Sequence, residues 1–261
     1  MARLSSTYAL FRVEEGGKTL FPVELPNPYL YDRSLTTILK YKGKTNEVFT
    51  KMLVNLALFT ANIEPEGAKL LDPVAGRGTT LYEGFGLGMS VYGTEVYEKN
   101  VQESVQFMRK FLEKGKIKHK TSKLHVRGEN RSFSAQKHMI EAKSGHFELI
   151  FGDCRYCDKL FSKQFFHVIV GDLPYGVLHG SEAGGRSRSP FQLIEESASG
   201  WHKILRKKGA LVLSFNSHVI TRKKLIEILE GKGFAVKKEG GYENLAHSVD
   251  ASIMRDVVVA V

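Results

Sequence analysis

Four acidic residues lie at the ends of short apolar runs, where a sheet would bring their carboxylates together. They are Asp72, Glu95, Asp153 and Asp172. If these runs are neighbouring parallel strands, their carboxyl ends meet at one edge of a sheet, and ligands of open α/β folds bind at that edge. A single loop carboxylate is commonly just solvated. Its repetition on consecutive strands therefore indicates one binding site for a ligand with cationic and donor groups.

The first carboxylate opens a glycine-rich loop that leads into a helix. The loop reads Asp72-Pro73-Val74-Ala75-Gly76-Arg77-Gly78-Thr79-Thr80. Glycine lets the backbone approach a ligand closely, and a helix N-terminus favours negative charge. The spacing fits neither the three-glycine dinucleotide pattern nor a phosphate loop ending in Gly-Lys-Ser/Thr, which disfavours a nicotinamide-dependent oxidoreductase. A ligand with both a carboxylate and a cationic centre fits better, and S-adenosylmethionine has both groups.

The next two carboxylates suit the nucleoside part of such a ligand. Glu95 lies about where an acidic residue can take both ribose hydroxyls of an adenosine group. The carboxylate of Asp153, after the third strand, can accept a hydrogen bond from the adenine amino group. Because Asp72 supplies negative charge toward the cationic centre, the three strand ends together predict one S-adenosylmethionine site.

The fourth strand runs into Asp172-Leu173-Pro174-Tyr175-Gly176. In isolation such a stretch is an ordinary turn. In this fold it opens beside the methyl group of the cofactor, where Asp172 and the Leu173 carbonyl can accept both hydrogens of an exocyclic amine. Tyr175 can stack on a planar base. The stretch therefore predicts methyl transfer to a nucleobase amine, assisted by hydrogen bonds that stabilise the positive charge developing on nitrogen.

Together, the two stretches resemble a known family. The loop Asp72-Pro73-x-x-Gly76-x-Gly78-Thr79, followed by Asp172-Leu173-Pro174-Tyr175-Gly176, is similar to class I S-adenosylmethionine-dependent amino-methyltransferases, whose fourth motif is Asn/Asp-Pro-Pro-Tyr/Phe. Within them the chain is most similar to the RNA guanosine-N2 branch, which prefers Asp and the trailing Gly and often carries a THUMP RNA-binding domain. The similarity extends from about Lys40 to the last residue. It implies a tRNA or rRNA substrate.

The predicted site residues fall into two groups. The catalytic candidates are Asp172, Leu173, Pro174 and Tyr175. The cofactor-binding candidates are Thr45, Asp72, Pro73, Ala75, Gly76, Gly78, Thr79, Thr80, Glu95, Val96, Asp153, Cys154 and Asp172. No residue is assigned to a metal ion, because the expected reaction requires none.

Three departures from the family pattern matter. Leu173 replaces the first Pro of the motif, a change that is tolerable if only its main-chain carbonyl is used. Arg77 stands where a small residue is common in the loop, and there it could tune access of the cofactor. The 44 residues that precede the catalytic region are too few for a THUMP domain, so RNA must be captured by another part of the chain.

A basic segment is the candidate for that capture. The chain carries a net charge of +10, which favours polyanionic partners. Residues 114–146 contain nine Lys or Arg against two Glu, and we expect this segment near the cofactor side of the fold. The plain alternative is a solvated loop. The substrate-binding candidates are Lys116, Lys118 and Lys120 in this segment and Arg186 and Arg188 in a later Gly/Ser-rich loop, itself alternatively a flexible surface loop.

The elements that must position these residues alternate between strands and helices. Apolar periodicity predicts helices at 46–61, 79–88, 98–113, 190–207 and 221–231, and strands at 68–72, 89–95, 147–152, 165–172, 209–215, 233–239 and 252–260. The alternation predicts a Rossmann-like class I methyltransferase fold. We expect a seven-stranded, mostly parallel sheet with helices on both faces and an antiparallel edge strand, in a domain spanning 45–261 after an N-terminal extension, 1–44.

Composition excludes several other classes. Hydrophobic residues make up 42% of the chain, enough for a folded core and too many for a disordered chain. No apolar run approaches the roughly 18 residues of a membrane helix, and the first residues lack a secretory signal, so we expect a cytoplasmic protein. Cys154 and Cys157 have the spacing of a redox or half-zinc motif, but no second Cys/His pair lies nearby, which favours reduced thiols.

The sequence thus predicts a nucleobase N-methyltransferase, with guanosine N2 in tRNA or rRNA as the preferred target. Two alternatives stay open. One keeps the fold and acts on adenine N6 or cytosine N4 of DNA. The other is a non-catalytic RNA-binding protein that retains the fold.

Overall fold

The computed structural model describes residues 3–14, 16–38, 44–143, 145–174 and 190–261. Several short N-terminal elements precede the central sheet. A small hairpin pairs β1 (Phe11–Val13) with β2 (Leu20–Pro22). The short helix α1 (Ser34–Thr37) and the long helix α2 (Glu47–Ala61) follow. The side chain of Asn46 accepts hydrogen bonds from the Val48 and Phe49 amides and so begins α2 as an N-cap.

Nine strands of the described residues form one sheet. They are β3 (Lys69–Asp72), β4 (Ser90–Glu95), β5 (His119–Arg127), β6 (Ser134–Ala142), β7 (Gly145–Phe151), β8 (Phe166–Asp172), β9 (Leu205–Asn216), β10 (His247–Asp250) and β11 (Ile253–Ala260). The helices between them are α3 (Thr79–Gly86), α4 (Glu98–Lys114), α5 (Cys157–Leu160), α6 (Pro190–Ile204) and α7 (Arg222–Gly231). The strand order is β10-β11-β9-β8-β3-β4-β7-β6-β5.

The order of the parallel strands makes this a doubly wound sheet. From β3 the chain moves outward through β4 and β7, then returns to the other side of β3 to form β8 and β9. The reversal lies between β3 and β8, and the crevice at such a point is where open α/β sheets bind ligands. The predicted Rossmann-like fold, mostly parallel with antiparallel edge strands, is confirmed.

Helices cover both faces of the sheet. Successive residues of a strand point to opposite faces, so Leu70 joins one apolar cluster and Leu71 the other. The Leu70 cluster includes residues of α2, α3 and α4, among them Phe85, whereas the Leu71 cluster includes residues of α6 and α7, among them Trp201. Strands buried on both faces explain why their sequences read as near-continuous apolar runs.

Part of the predicted N-terminal extension packs on this core. Leu35 is 1% exposed and belongs to the same cluster as Leu70. The Tyr29 hydroxyl donates a 2.5 Å hydrogen bond to Glu83, and burial raises the pKa of that carboxyl to about 7. The boundary at residue 44 stays a prediction, but packing ties residues on both sides of it together.

The basic segment forms two strands rather than an irregular insertion. β5 and β6 pair in antiparallel register, from His119 opposite Ala142 to Arg127 opposite Ser134. β6 continues the sheet from β7, where Lys137 forms an ion pair with Glu148 at 2.9 Å. These two strands account for the difference between the seven strands expected and the nine found.

The other difference concerns the last edge of the sheet. The expected strand 233–239 is reduced to an isolated bridge between Val236 and Ala260. The edge strand is β10 instead, which pairs antiparallel with β11. The predicted antiparallel arrangement at this edge therefore holds, but a later segment forms the edge strand.

Over the described ranges, no helix combines the length and apolar character needed to cross a membrane. The same residues contain no group of three or more His, Cys, Asp or Glu side chains placed to hold a metal ion. Cys154 and Cys157 are buried free thiols.

Candidate functional site

The loop after β3 is fixed to β4 by its backbone. The Ala75 amide donates to the Thr94 carbonyl at 2.9 Å, and the Thr94 hydroxyl donates to the Pro73 carbonyl at 2.6 Å. Gly76 and Gly78 take positive φ values of 54° and 90°. The loop thus turns directly over the end of the neighbouring strand and leads into α3.

Two glycines allow this close approach. A Cβ on Gly78 would lie 2.8 Å from the Ser104 hydroxyl oxygen, and its φ disfavours other residues as well. A Cβ on Gly93 would lie 2.8 Å from the Ala75 Cβ. Gly78 is also the N-cap of α3, and it supplies no side-chain cap. The N-cap residue of α3 therefore contributes no side-chain acceptor to the first amides of the helix.

Asp72 is a buried carboxylate at the centre of the crevice. It is 3% exposed and accepts a hydrogen bond from the Val74 amide at 3.0 Å. Burial, together with the charges of Asp172 and Glu95, raises its pKa to about 7, although hydrogen bonds from Val74 and Thr80 oppose the increase. Asp172 and Glu95 are thus close enough to Asp72 to act on it electrostatically. Such an arrangement is unfavourable alone and is typical of a site that binds a cation.

We expect Asp72→Asn to change how stability depends on pH. Between about pH 4 and pH 7 the unfolded Asp72 has lost its proton while the folded one keeps it, because the folded pKa is raised to about 7. In the parent the free energy of unfolding therefore falls with rising pH, by at most about 1.4 kcal/mol per pH unit for this group, and levels off above pH 7. The Asp72→Asn variant lacks this loss, because its amide does not titrate.

Urea unfolding of both proteins at pH 5, 6, 7 and 8 measures the effect. The stability advantage of Asp72→Asn should grow between pH 5 and pH 7 and then stay constant. Titrating groups that do not interact with Asp72, Glu83 included, are common to both proteins and cancel in the difference. A difference that does not vary with pH would show that Asp72 titrates normally.

Glu95, the last residue of β4, lies next to the glycine-rich loop that follows β3. It is 8% exposed and accepts a 2.7 Å hydrogen bond from the Tyr97 amide. Burial raises its pKa, while hydrogen bonds from Tyr97, Asn100, Gly76 and Val96 act in the opposite direction. The carboxylate therefore faces the glycine loop.

The residue after Glu95 has a different environment. Val96 is 53% exposed, although it directly follows a buried strand. An exposed aliphatic side chain at this edge offers an apolar surface beside the Glu95 carboxylate.

Two arginines bind residues around the loop. Arg77 forms an ion pair with Glu103 at 2.9 Å and donates to Asn100 at 3.3 Å, so it is held against α4. Arg155 donates to both oxygens of Asp153, at distances of 2.6 to 3.0 Å, and forms an ion pair with Glu196 at 2.9 Å. Asp153, expected to meet an adenine amine, is therefore already a partner of Arg155. Arg155 is not among the residues predicted from the sequence, where its position two residues after Asp153 was the available indication.

Cys154 lies beside Asp153 but is turned inward. It is 4% exposed, and its Sγ lies 3.7 Å from the Ser197 hydroxyl oxygen. Burial raises the pKa of this thiol to about 12, so it stays protonated at neutral pH. The side chain belongs to the apolar cluster under α6, which leaves only its main chain for a ligand at the strand end.

Asp172 ends β8 beside Asp72 and is positioned from outside the sheet. The Thr45 hydroxyl donates a 2.5 Å hydrogen bond to its Oδ2. A hydroxyl that donates to one oxygen of a carboxylate favours one orientation of the group. Thr45 precedes α2, so the entry of this helix positions the acidic residue at the strand end.

In the next residue, Leu173, the side chain and the main chain have different surroundings. Leu173 is 1% exposed, and its amide donates to the Ser214 carbonyl at 2.8 Å. Its side chain packs in the core, which explains why leucine can replace the proline of the motif. Pro174 is exposed. Tyr175, Arg186 and Arg188 lie outside the described residues.

The basic hairpin does not bring all its cations to this edge. Since β5 runs antiparallel to β6, Lys120 pairs with Glu141 near the start of β7, at the edge opposite Asp172. Lys116 and Lys118 precede β5 on that same side. These three lysines are thus about 25 Å of strand away from the hairpin tip. The expected proximity of the whole segment to the cofactor side is wrong for them.

The hairpin tip, in contrast, lies at the candidate site's edge. Phe133 stacks on Tyr156, which follows the end of β7, with ring centroids 5.0 Å apart. Arg127 and Arg131 are exposed beside this contact. These two arginines, unlike the three lysines, lie on the side of the sheet where β7 ends.

Comparisons with known proteins give structural likeness only. No family model matches the chain, and no curated protein is similar to it in sequence. A magnesium protoporphyrin IX methyltransferase from Synechocystis with bound S-adenosylmethionine is 16% identical, with a TM-score of 0.48, covering 84% of this chain and 86% of the other. An rRNA methylase from Streptococcus thermophilus is 14% identical, with a TM-score of 0.43, covering 79% and 93%.

A third similar structure is a TehB-like S-adenosylmethionine-dependent methyltransferase from Corynebacterium glutamicum. It is 16% identical, with a TM-score of 0.44, and covers 82% of this chain and 98% of the other. The three proteins differ in what their names say they act on. Likeness at this level tells nothing about the substrate of this chain, which has to be inferred from its own residues.

Proposed function

We propose that the protein is an S-adenosylmethionine-dependent N-methyltransferase that acts on the exocyclic amine of a nucleobase, guanosine N2 of tRNA or rRNA being the preferred target. The observation that carries the proposal is that the carboxylates of Glu95 and Asp172 lie close enough to buried Asp72 to act on it electrostatically, at the crevice of a doubly wound sheet. The first two would hold the cofactor and the third the amine. A cytoplasmic location, where such RNA is found, is part of the proposal.

The residues around the crevice fit S-adenosylmethionine by charge. A buried carboxylate whose pKa is raised by burial gains most from a cationic ligand, because the cation restores favourable interactions to its ionised form. The α3 amides, with no side-chain cap, suit a carboxylate. Glu95 suits two ribose hydroxyls, and exposed Val96 suits an adenine face. When bound, the cofactor would supply an electrophilic methyl group.

Asp172 and Leu173 would orient the nucleophile. An exocyclic amine of a base is weakly nucleophilic because its lone pair is delocalised into the ring. Hydrogen bonds from both amine hydrogens, to the Asp172 carboxylate and the Leu173 carbonyl, would favour a pyramidal nitrogen. Asp172 would then stabilise the positive charge that develops on nitrogen and can accept the released proton. Thr45 holds one oxygen of the carboxylate and so limits its rotation.

Positive charge supports a nucleic-acid substrate. The net charge of +10 favours a polyanion, and exposed Arg127 and Arg131 place part of that charge at the edge of the site. Phosphate contacts of this kind fix position, whereas the base is selected at the motif. Contacts by Lys116, Lys118 and Lys120 stay a prediction, and any that form would lie far from the modified base.

A methyl-transfer assay tests the proposal. The purified chain is incubated with methyl-labelled S-adenosylmethionine and either total RNA or genomic DNA, and the product is identified by nucleoside mass spectrometry. We expect label in RNA as N2-methylguanosine. Label confined to N6-methyladenine or N4-methylcytosine in DNA would favour the DNA enzyme, and no product with any RNA fraction would favour a non-catalytic RNA-binding protein.

A further inference from the structure

A second concave region lies at the opposite edge of the sheet, where β8 and β9 begin. This cleft has a volume of about 470 Å³. Its cationic lining residues are Lys163, Lys203, Arg206, Lys207 and Lys208, with His202 beside them. None of them belongs to the candidate methyl-transfer site, which lies at the carboxyl ends of the same strands.

Most of this charge is not neutralised by the protein. Lys203 forms an ion pair with Asp158 at 2.8 Å. Within the part of the chain that the structure describes, Lys163, Arg206, Lys207 and Lys208 have no carboxylate partner. All four are exposed. Four cations without a carboxylate partner around one cleft repel each other, and an anionic ligand would relieve that repulsion.

An irregularity of the sheet brings the cations forward. The pairing of β8 with β9 jumps from Leu205 to Ala210, so residues 206–209 project from the sheet opposite His167. Gly209 closes this bulge tightly, since a Cβ there would lie 2.7 Å from the His167 carbonyl oxygen. Bulges re-aim side chains. Here the bulge presents three consecutive cations to solvent.

Two donor nitrogens, one of His167 and one of Arg206, lie side by side at the bulge. His167 Nδ1 accepts a hydrogen bond from the Lys69 amide at 2.9 Å, so in the neutral ring the proton lies on Nε2. Burial and the charges of Arg206 and Lys69 lower the pKa of His167, which keeps the ring neutral. Nε2 lies 2.6 Å from a guanidinium nitrogen of Arg206, and guanidinium has donors only. An oxyanion accepting from both would satisfy them.

We propose that this cleft, which we call the distal cleft, binds backbone phosphates of the RNA substrate. The inference rests on the proposed function for the identity of the polyanion. His167 and Asp172 are five residues apart on β8, so phosphate and target amine would bind about 16 Å apart. A structured RNA spans that distance easily. The distal cleft would set RNA affinity and orientation, and the Asp172 motif would select the base.

The shape and lining favour RNA over other anionic surfaces. The apolar lining residues are Leu205 and Val261, and Leu205 is only 6% exposed, so no large apolar side chain is available for insertion into a lipid surface. The cations of the bulge follow one another along the chain, as phosphates do along a nucleic-acid strand. An acidic peptide would also supply negative charge to the cleft. The competition experiment with poly-glutamate described below distinguishes it from RNA.

The test compares two triple variants of the full chain. R206Q/K207Q/K208Q removes three charges from the distal cleft. K18Q/K110Q/K223Q removes three from exposed positions elsewhere. Binding of bulk tRNA is measured between about 50 and 300 mM salt. We expect the distal-cleft variant to bind at least about tenfold more weakly at 100 mM salt and to lose about two to three from the log–log salt slope. The control should match the parent within about twofold.

Further readouts separate the possible results. In methyl transfer the distal-cleft variant should raise KM for RNA, with kcat and the Kd for S-adenosylmethionine unchanged. Salt slopes that are equal in both triple variants would overturn the proposal. Displacement of bound tRNA by poly-glutamate at equal charge concentration would overturn it too, in favour of an acidic protein partner. An inactive parent that keeps the slope difference would refute methyl transfer and still support the distal cleft.

Discussion

Replacing Asp172 with alanine is expected to slow methyl transfer to RNA by about 10²- to 10³-fold while S-adenosylmethionine stays bound. In the proposed mechanism the carboxylate contacts the amine of the substrate, so its loss would remove stabilisation of the charge that develops on nitrogen. The cofactor would keep its proposed contacts with Asp72, Glu95 and the amides of α3. Single-turnover rates at saturating RNA and calorimetric Kd values for S-adenosylmethionine measure the two effects separately.

Two further variants show whether geometry or charge is responsible. Asp172→Asn keeps an acceptor of the same shape and should retain more activity than Asp172→Ala. Thr45→Val removes the hydroxyl that donates to Asp172 Oδ2, and we expect kcat to fall about tenfold, with recovery in Thr45→Ser. Full turnover by Asp172→Ala would refute the mechanism. Equal activity of the valine and serine variants would show that the Thr45 contact is only structural.

The sequence was informative where strands are buried on both faces. Leu70 and Leu71 enter opposite apolar clusters, so β3 had to be apolar at consecutive positions, and its length and the following Asp72 were readable. The same holds for β8 and Asp172. Since parallel strands bring their carboxyl ends to one edge, knowing the strand ends was enough to bring the acidic residues near each other. Thr45 was among the predicted cofactor-binding residues, but its hydrogen bond to Asp172 was not predicted, and neither was Arg155, because both depend on tertiary contacts that no local pattern contains.

The basic hairpin shows why other elements were missed. β5 is an edge strand and is exposed along almost its whole length, so it lacks the alternation that identifies a half-buried strand. Lysines on an edge strand disfavour pairing with another chain. In the sequence, such a charged strand resembles a charged loop. The direction of the hairpin then decides which cations reach the site. Lys120 and Arg127 are close in sequence but lie at opposite ends of β5. Only Arg127 is on the side of the sheet where the parallel strands end.

Glu95→Ala is expected to weaken S-adenosylmethionine binding by about 10- to 100-fold, with kcat at saturating cofactor changed by less than about threefold. Hydrogen bonds to a charged group contribute roughly 1.5–3 kcal/mol, and each 1.4 kcal/mol is a factor of ten in Kd. Glu95 ends β4 away from the motif that would hold the amine, so it should affect cofactor affinity and not the chemical step. Calorimetry of cofactor binding and initial rates over a range of cofactor concentrations provide both values.

Glu98→Ala is the matched control, because it removes an exposed carboxylate three residues further on, in the first turn of α4. It should leave the cofactor Kd within about twofold of the parent. Glu95 is buried, and burial raises its pKa, so its removal relieves a desolvated charge and should not unfold the protein. If Glu95→Ala lowered kcat at saturating cofactor and left Kd unchanged, Glu95 would act on the substrate, and the cofactor would have to be placed differently at the strand ends.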